Sequence, residues 1–263
     1  MAALSAGRRA DARAVVLFLV LGFALSWYPW FLFLAGYPAA PGPNPLGLLV
    51  AALIAASVAA GWRGPVAILR GIVRVRAPLA VWAMAVLVPL GVLAAALAIG
   101  VLRNVGVAPA APVWPDLAER MILAFLFVAL GEEPAWRGFL LPEMQNRLHP
   151  ILATFAVAAI WALWHLPLMG TEFAWPLVPA FLASVAGGAI VLSWLYNASG
   201  ASILLPMVTH ALVNTAGAGY VFGFVAKADL AHFWWIYAGL WLVAGGLTIV
   251  LTHGRLGVPR ERA

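Results

Sequence analysis

Eight long apolar segments limit what this chain can fold into. Most are close to the roughly 20 residues that a helix needs to cross about 30 Å of hydrocarbon. Of the 263 residues, 65% are hydrophobic and 9% are charged, whereas a soluble domain carries about 25% charged residues. The sequence therefore predicts an all-α, polytopic membrane protein with about eight transmembrane helices. The predicted spans are Ala14–Gly36, Pro45–Gly61, Leu79–Leu102, Met121–Leu141, Ile151–Leu168, Pro176–Tyr196, Ala201–Tyr220 and Phe233–Leu251.

No linker divides the chain, so residues 1–263 are predicted to form a single transmembrane domain. The basic residues predict its orientation, because arginine and lysine concentrate in cytoplasmic segments. If the N-terminus is inside, the eight spans leave twelve basic residues inside and three outside. The outside residues are Arg103, Arg120 and Lys227. The inside residues are Arg8, Arg9, Arg13, Arg63, Arg70, Arg74, Arg76, Arg137, Arg147, Arg255, Arg260 and Arg262.

This distribution predicts a multi-pass protein with both termini inside, in a cell inner membrane or plasma membrane. The net charge of +6 then reflects topology and contact with the lipid bilayer, and it does not indicate a nucleic-acid partner.

Three ionisable side chains lie within the fourth predicted span. Glu133 and Arg137 are four residues apart on one helical face and can pair. Glu132 points about 100° away and lacks that partner. Pro134 is expected to kink the helix at this point. Charges in hydrocarbon cost roughly 3 kcal/mol each on insertion scales, so they usually serve a function. The structural alternative is a buried ion pair beside a protonated glutamate.

Two further spans carry polar residues. His165 follows Trp161-Ala162-Leu163-Trp164 near the end of the fifth span, whereas Glu132 falls near the middle of its own. His210 and Asn214 are four residues apart in the seventh span. Each of these is ambiguous alone, because an interfacial histidine or a hydrogen bond between helices would also explain it.

Together these residue types favour hydrolysis by an activated water. A carboxylate near neutral imidazoles can take a proton from water and pass it to a leaving amine, and an asparagine amide can donate to an oxyanion. Two histidines and a glutamate can also bind a divalent metal such as Zn²⁺, so both a metal site and a metal-free site remain open. An aspartyl dyad is excluded within the spans, because Asp11, Asp116 and Asp229 all lie outside them.

The order and spacing of these motifs, from Glu132-Glu133-x-x-Trp136-Arg137-Gly138 to His210-x-x-x-Asn214, resemble the CPBP family of CAAX proteases and bacteriocin-processing proteins. The resemblance covers roughly residues 121–219, the motif-bearing core. It implies an eight-helix intramembrane endopeptidase. Its implied catalytic residues are Glu132, His165, His210 and Asn214, its supporting residues are Glu133 and Arg137, and its candidate metal ligands are His165, His210 and Glu132. Trp161 stands where the family more often has phenylalanine, and we expect this to be a mild change on an apolar face.

The function predicted from the sequence is therefore hydrolysis of a peptide bond inside the membrane. No feature marks a groove for a lipid tail, so a peptide or membrane-protein substrate is expected. The alternative is a non-proteolytic family member that acts as a membrane scaffold or an immunity protein. The completeness of the four-residue set favours the protease.

Overall fold

The fold is helical throughout the residues that the structure describes. A computed structural model describes residues 11–108, 114–218 and 220–259. Helix accounts for 77% of the structure, and the described residues form no strand. The α-helices are α1 (Ala12–Leu34), α2 (Leu46–Ala60), α3 (Arg63–Ile72), α4 (Leu79–Leu102), α5 (Trp114–Leu123), α6 (Leu130–Glu133), α7 (Leu141–Gln145), α8 (Pro150–Trp164), α9 (Val178–Ala198), α10 (Leu204–Leu212) and α11 (Leu230–Leu251).

Two other helix types complete the structure. π-Helical turns occupy Ala124–Ala129, Pro134–Leu140 and Val213–Ala218, and 3₁₀ turns occupy Leu166–Leu168, Trp175–Leu177 and Val221–Phe224. π-Helical turns are rare and occur often at functional sites. Two of the three π-helical turns contain residues of the sequence motifs: Pro134–Leu140 contains Arg137, and Val213–Ala218 contains Asn214.

Four helices in the described residues are long and apolar enough to cross a membrane: α1, α4, α9 with its preceding 3₁₀ turn, and α11. Helices α2 and α8 are apolar but shorter. The fourth and seventh predicted spans consist of shorter α-helical pieces joined to π-helical turns. The prediction of a helical membrane protein therefore holds at this coarser level, and the count of eight spans stays a prediction.

The outer surface of the bundle is apolar. Leu87 on α4, Leu163 on α8 and Val243 on α11 are all exposed, as expected for side chains that face lipid. Between helices, small residues allow close packing. A Cβ on Gly47 of α2 would lie 2.3 Å from the backbone oxygen of Leu25 in α1, so this crossing requires glycine.

Contacts between loops define two ends of the bundle. At one end, the backbone N–H of Gly106 donates to the Asp229 carboxylate, which joins the segment after α4 to the segment before α11. At the other end, the Ser202 hydroxyl donates to the backbone oxygen of Arg74, and the Asn197 amide donates to that of Leu256. The orientation of these ends in a membrane stays a prediction, and Arg8, Arg9, Arg260 and Arg262 lie outside the described residues.

Candidate active site

The glutamate pair lies on a helix that changes its winding at the site. α6 contains Glu132 and Glu133, and the π-helical turn Pro134–Leu140 follows it directly. Proline lacks an N–H and cannot complete an α-helical hydrogen bond at this position. A π-helical turn thus begins at Pro134, the position at which the sequence predicted a kink. Glu132, Glu133 and Arg137 are all buried.

Glu133 belongs to a buried network of charged and ionisable groups. Its Oε1 accepts a hydrogen bond from Nη1 of Arg137 at 2.9 Å, so the predicted pair is present. The same oxygen lies 2.7 Å from Nδ1 of His210 on α10. With a carboxylate as partner, this ring nitrogen is the donor, which leaves Nε2 on the opposite side of the imidazole. The network thus ties α6 to α10 and fixes the His210 ring.

Glu132 is bound by neutral donors instead. Its Oε2 accepts hydrogen bonds from the indole N–H of Trp161 at 2.6 Å and from that of Trp136 at 3.3 Å. The 2.6 Å distance is shorter than the usual range for an N–H donor. Both of these bonds end on the same oxygen, so Oε1 remains available to another group.

His165 is held at the point where α8 ends. α8 spans only 15 residues and stops at Trp164, and a 3₁₀ turn follows. His165 therefore directly follows the last residue of α8, and it lines the same cavity as Glu132. Nδ1 lies 2.8 Å from the backbone oxygen of Trp161 and donates to it, so that in the neutral form of the ring Nε2 is the acceptor.

A cavity of about 450 Å³ collects the predicted catalytic residues. Glu132, His165, His210 and Asn214 come from three separate helical segments and all line it. Glu133 and Arg137 are not among the lining residues, because they lie behind the cavity wall in the charged network. The structure therefore brings the four residues together, and their catalytic roles stay predictions.

The rest of the cavity wall is largely aromatic and apolar, with two loop segments contributing at one end. Phe181 and Trp234 belong to the wall, and the loop residues Gly42, Pro45 and Glu172 also line it. Partial burial of the Glu172 carboxyl group raises its pKa above the ordinary value. A carboxylate at the edge of an apolar cavity can interact with a cationic group that enters it.

A Cβ added to Gly131 would lie 2.5 Å from the backbone carbon of Pro45. The loop before α2 therefore packs directly against the helix that carries Glu132. This close approach explains why a glycine precedes the glutamate pair.

The geometry of the site gives no support to the metal prediction. Within the described ranges, no group of three or more His, Cys, Asp or Glu side chains is arranged to hold a metal ion. His165, His210 and Glu132 share the cavity, but they are not arranged as such a group. A metalloprotease assignment therefore lacks support.

One expectation about Trp161 was wrong. The sequence suggested a mild change on an apolar face, whereas its indole forms the shortest of the hydrogen bonds to Glu132. The partnership of His210 with Glu133 was also missed. These residues are 77 positions apart, and the helical spacing in the sequence carries no signal for contacts between different helices.

Comparison with known families supports the resemblance seen in the sequence. Residues 114–216 match the family model of Rce1-like type II CAAX prenyl endopeptidases. This similarity is consistent with the CAAX protease family. The match includes Glu132, His165, His210 and Asn214. No curated protein matches the chain. Together, the apolar helices and the family match support a membrane protease as the general class of this protein.

Proposed function

We propose that this protein is an intramembrane endopeptidase that hydrolyses a peptide bond with a water activated by Glu132. The observation that carries the proposal is the convergence of Glu132, His165, His210 and Asn214 on one largely apolar cavity. Such a cavity can exclude bulk water while it admits a single reacting water and a peptide segment.

The reaction begins at the free oxygen of Glu132. A water that donates to Oε1 is oriented further by Nε2 of neutral His165, which accepts its second hydrogen. The water oxygen attacks the carbonyl carbon of the peptide bond, and its proton passes to Glu132. The tetrahedral intermediate collapses when protonated Glu132 gives this proton to the amide nitrogen. The C–N bond then breaks to give a carboxyl group and an amine.

Two other residues of the cavity wall, Asn214 and His210, stabilise the oxyanion. Asn214 can donate from its side-chain amide. His210 can donate from Nε2 while Nδ1–H remains bound to Glu133. The two glutamates bring two negative charges against one Arg137, so an additional proton on His210 would balance the buried charge. An imidazolium at this position places a positive charge beside the developing oxyanion.

The substrate follows from the setting of the cavity. Its wall is mostly apolar, with Glu172 at the edge formed by loops, so an extended peptide or an unwound segment of a membrane protein is the substrate that we propose. The protein itself crosses an inner or plasma membrane several times, with both termini on the basic, inner side. Twelve of the fifteen basic residues fall on that side in this arrangement.

The test is a comparison of new N-termini in membranes from cells that express the wild-type protein or the Glu132→Gln variant. We expect a set of cleaved membrane proteins or peptides that appears only with the wild type, at equal levels of inserted protein. Glu143→Gln is the matched control, since Glu143 lies on α7 away from the cavity and its carboxylate accepts from the backbone of Asp11.

Two results would contradict the proposal. Identical N-termini with the wild type and Glu132→Gln would favour the scaffold or immunity protein instead. Near-stoichiometric zinc in the purified protein, lost in a His165→Ala/His210→Ala double variant, would replace the metal-free scheme with a metal-assisted one.

A further inference from the structure

Trp161 makes contact with the candidate site through both its backbone and its side chain. Its indole N–H donates to Glu132 at 2.6 Å, and its backbone oxygen accepts from His165 at 2.8 Å. The guanidinium carbon of Arg137 lies 4.6 Å from the centroid of its ring. The ring also packs edge-on against His210 at 5.5 Å between centroids. The side chain is only 6% exposed, so these contacts hold it in one orientation.

The hydrogen bond to Glu132 has a directional consequence. A glutamate side chain has several rotatable bonds, and its two oxygens are equivalent until something distinguishes them. Both indole donors reach Oε2. They therefore fix the carboxylate plane and leave Oε1 as the oxygen that meets a water in the cavity.

An apolar residue in place of Trp161 would fill the same space, but it could not donate a hydrogen bond to one of the two Glu132 oxygens. Trp136 also donates to Oε2, but at 3.3 Å. This longer bond is weaker than the one from Trp161. Most of the orienting effect therefore comes from Trp161.

We propose that the indole N–H of Trp161 is a positioning group that holds Glu132 with Oε1 directed at the reacting water. The inference rests on the proposed function, because it assumes that Glu132 is the base. It assigns to Trp161 a role in the alignment of the base rather than in contact with the substrate.

The sharpest test replaces Trp161 with 3-benzothienylalanine. This amino acid keeps the shape and size of tryptophan and replaces the N–H with sulfur. Cleavage is measured on a quenched peptide taken from a site that depends on Glu132. Loss of one hydrogen bond to a charged group should lower kcat about 10- to 100-fold and leave KM within about twofold. The same replacement at Trp136 should have a smaller effect, because its bond is longer.

Trp82 is the matched control. Its indole donates to the backbone oxygen of Val75 at 3.0 Å, and Trp82 is absent from the cavity wall. The benzothienyl replacement there should leave kcat within about twofold. A general cost of the unnatural side chain would instead lower kcat equally at both positions, and that result would overturn the inference.

A second measurement does not depend on the folding of the Trp161 variant. In ¹⁵N-labelled protein in detergent, the indole proton of Trp161 should resonate downfield and shift upfield in Glu132→Ala, whereas that of Trp82 should not move. The Trp161 signal is assigned by its loss in Trp161→Phe. An indole signal of Trp161 that is indifferent to Glu132→Ala would overturn the inference.

The failures of the two proposals are distinguishable. If Glu132→Gln abolishes cleavage and the benzothienyl replacement at Trp161 does not lower kcat, the inference fails and the proposed function stands. If Glu132→Gln cleaves normally, both fail.

Discussion

Glu132 and Glu133 are neighbours in the chain and almost equally buried, yet their surroundings differ in kind. Glu133 is paired with Arg137 and His210, so its charge is balanced where it lies. Glu132 is held by two neutral indoles and lines the cavity. Burial alone therefore does not identify a catalytic carboxylate. The useful distinction is between a carboxylate whose charge is already paired and one that keeps an oxygen for another molecule.

The largest loss of stability is expected when Arg137 is removed from the charged network around Glu133. Arg137→Met leaves Glu133 buried beside His210 alone, and loss of one partner of a buried pair costs about 3–5 kcal/mol. We expect a large fall in the thermal unfolding temperature. Arg70→Met is the control, because Arg70 is exposed on α3. A Glu133→Gln/Arg137→Met double variant should recover part of the stability, and a double variant less stable than Arg137→Met would contradict the pairing.

A second prediction concerns Asn214, which lines the cavity and is the proposed donor to the oxyanion. Asn214→Ala removes a proposed donor and should lower kcat about 10²–10³-fold, with little change in stability. Asn197→Ala is a matched asparagine variant at the end of α9, where the amide donates to Leu256. It should affect stability and spare kcat. Equal kcat for Asn214→Ala and the wild type would remove Asn214 from the mechanism.

The smallest effect is expected at the cavity edge. Glu172→Gln should raise KM by no more than about fivefold for a peptide with a basic residue near the cleaved bond, because the pair is partly screened by solvent. It should leave KM unchanged for a neutral peptide. Burial raises the pKa of Glu172. The carboxylate therefore becomes neutral at a higher pH than an ordinary glutamate, and the difference between the variants should disappear as the pH falls through that pKa. A KM that responds equally with both peptides would contradict this role.

The sequence predicted the long helices well because hydropathy identifies them directly. The third predicted span, Leu79–Leu102, coincides with α4, and the first lies within two residues of α1. It also placed Glu132, His165, His210 and Asn214 in one constellation, since charged and polar groups stand out within apolar spans.

The remaining features depend on contacts between helices. The shortening of α8 at Trp164, the π-helical turn after Pro134 and the bond from Trp161 to Glu132 each require the relative depth and rotation of separate helices. An apolar helix in a membrane has similar residues on its lipid face and its buried face. Hydropathy therefore gave no signal for the direction in which the Trp161 side chain points. The resemblance of the motifs to the CPBP family suggested only an ordinary apolar position.

The most direct test of the difference between the two glutamates measures Glu132→Gln and Glu133→Gln side by side, with cleavage and thermal unfolding recorded on the same membrane preparations. Glu132→Gln should lose about 10²–10⁴-fold in cleavage and unfold near the wild-type temperature. Glu133→Gln should unfold at a clearly lower temperature, because it leaves Arg137 buried without its charge partner. Normal cleavage by Glu132→Gln, or the same loss of stability in both variants, would contradict the division between a reactive and a charge-paired glutamate.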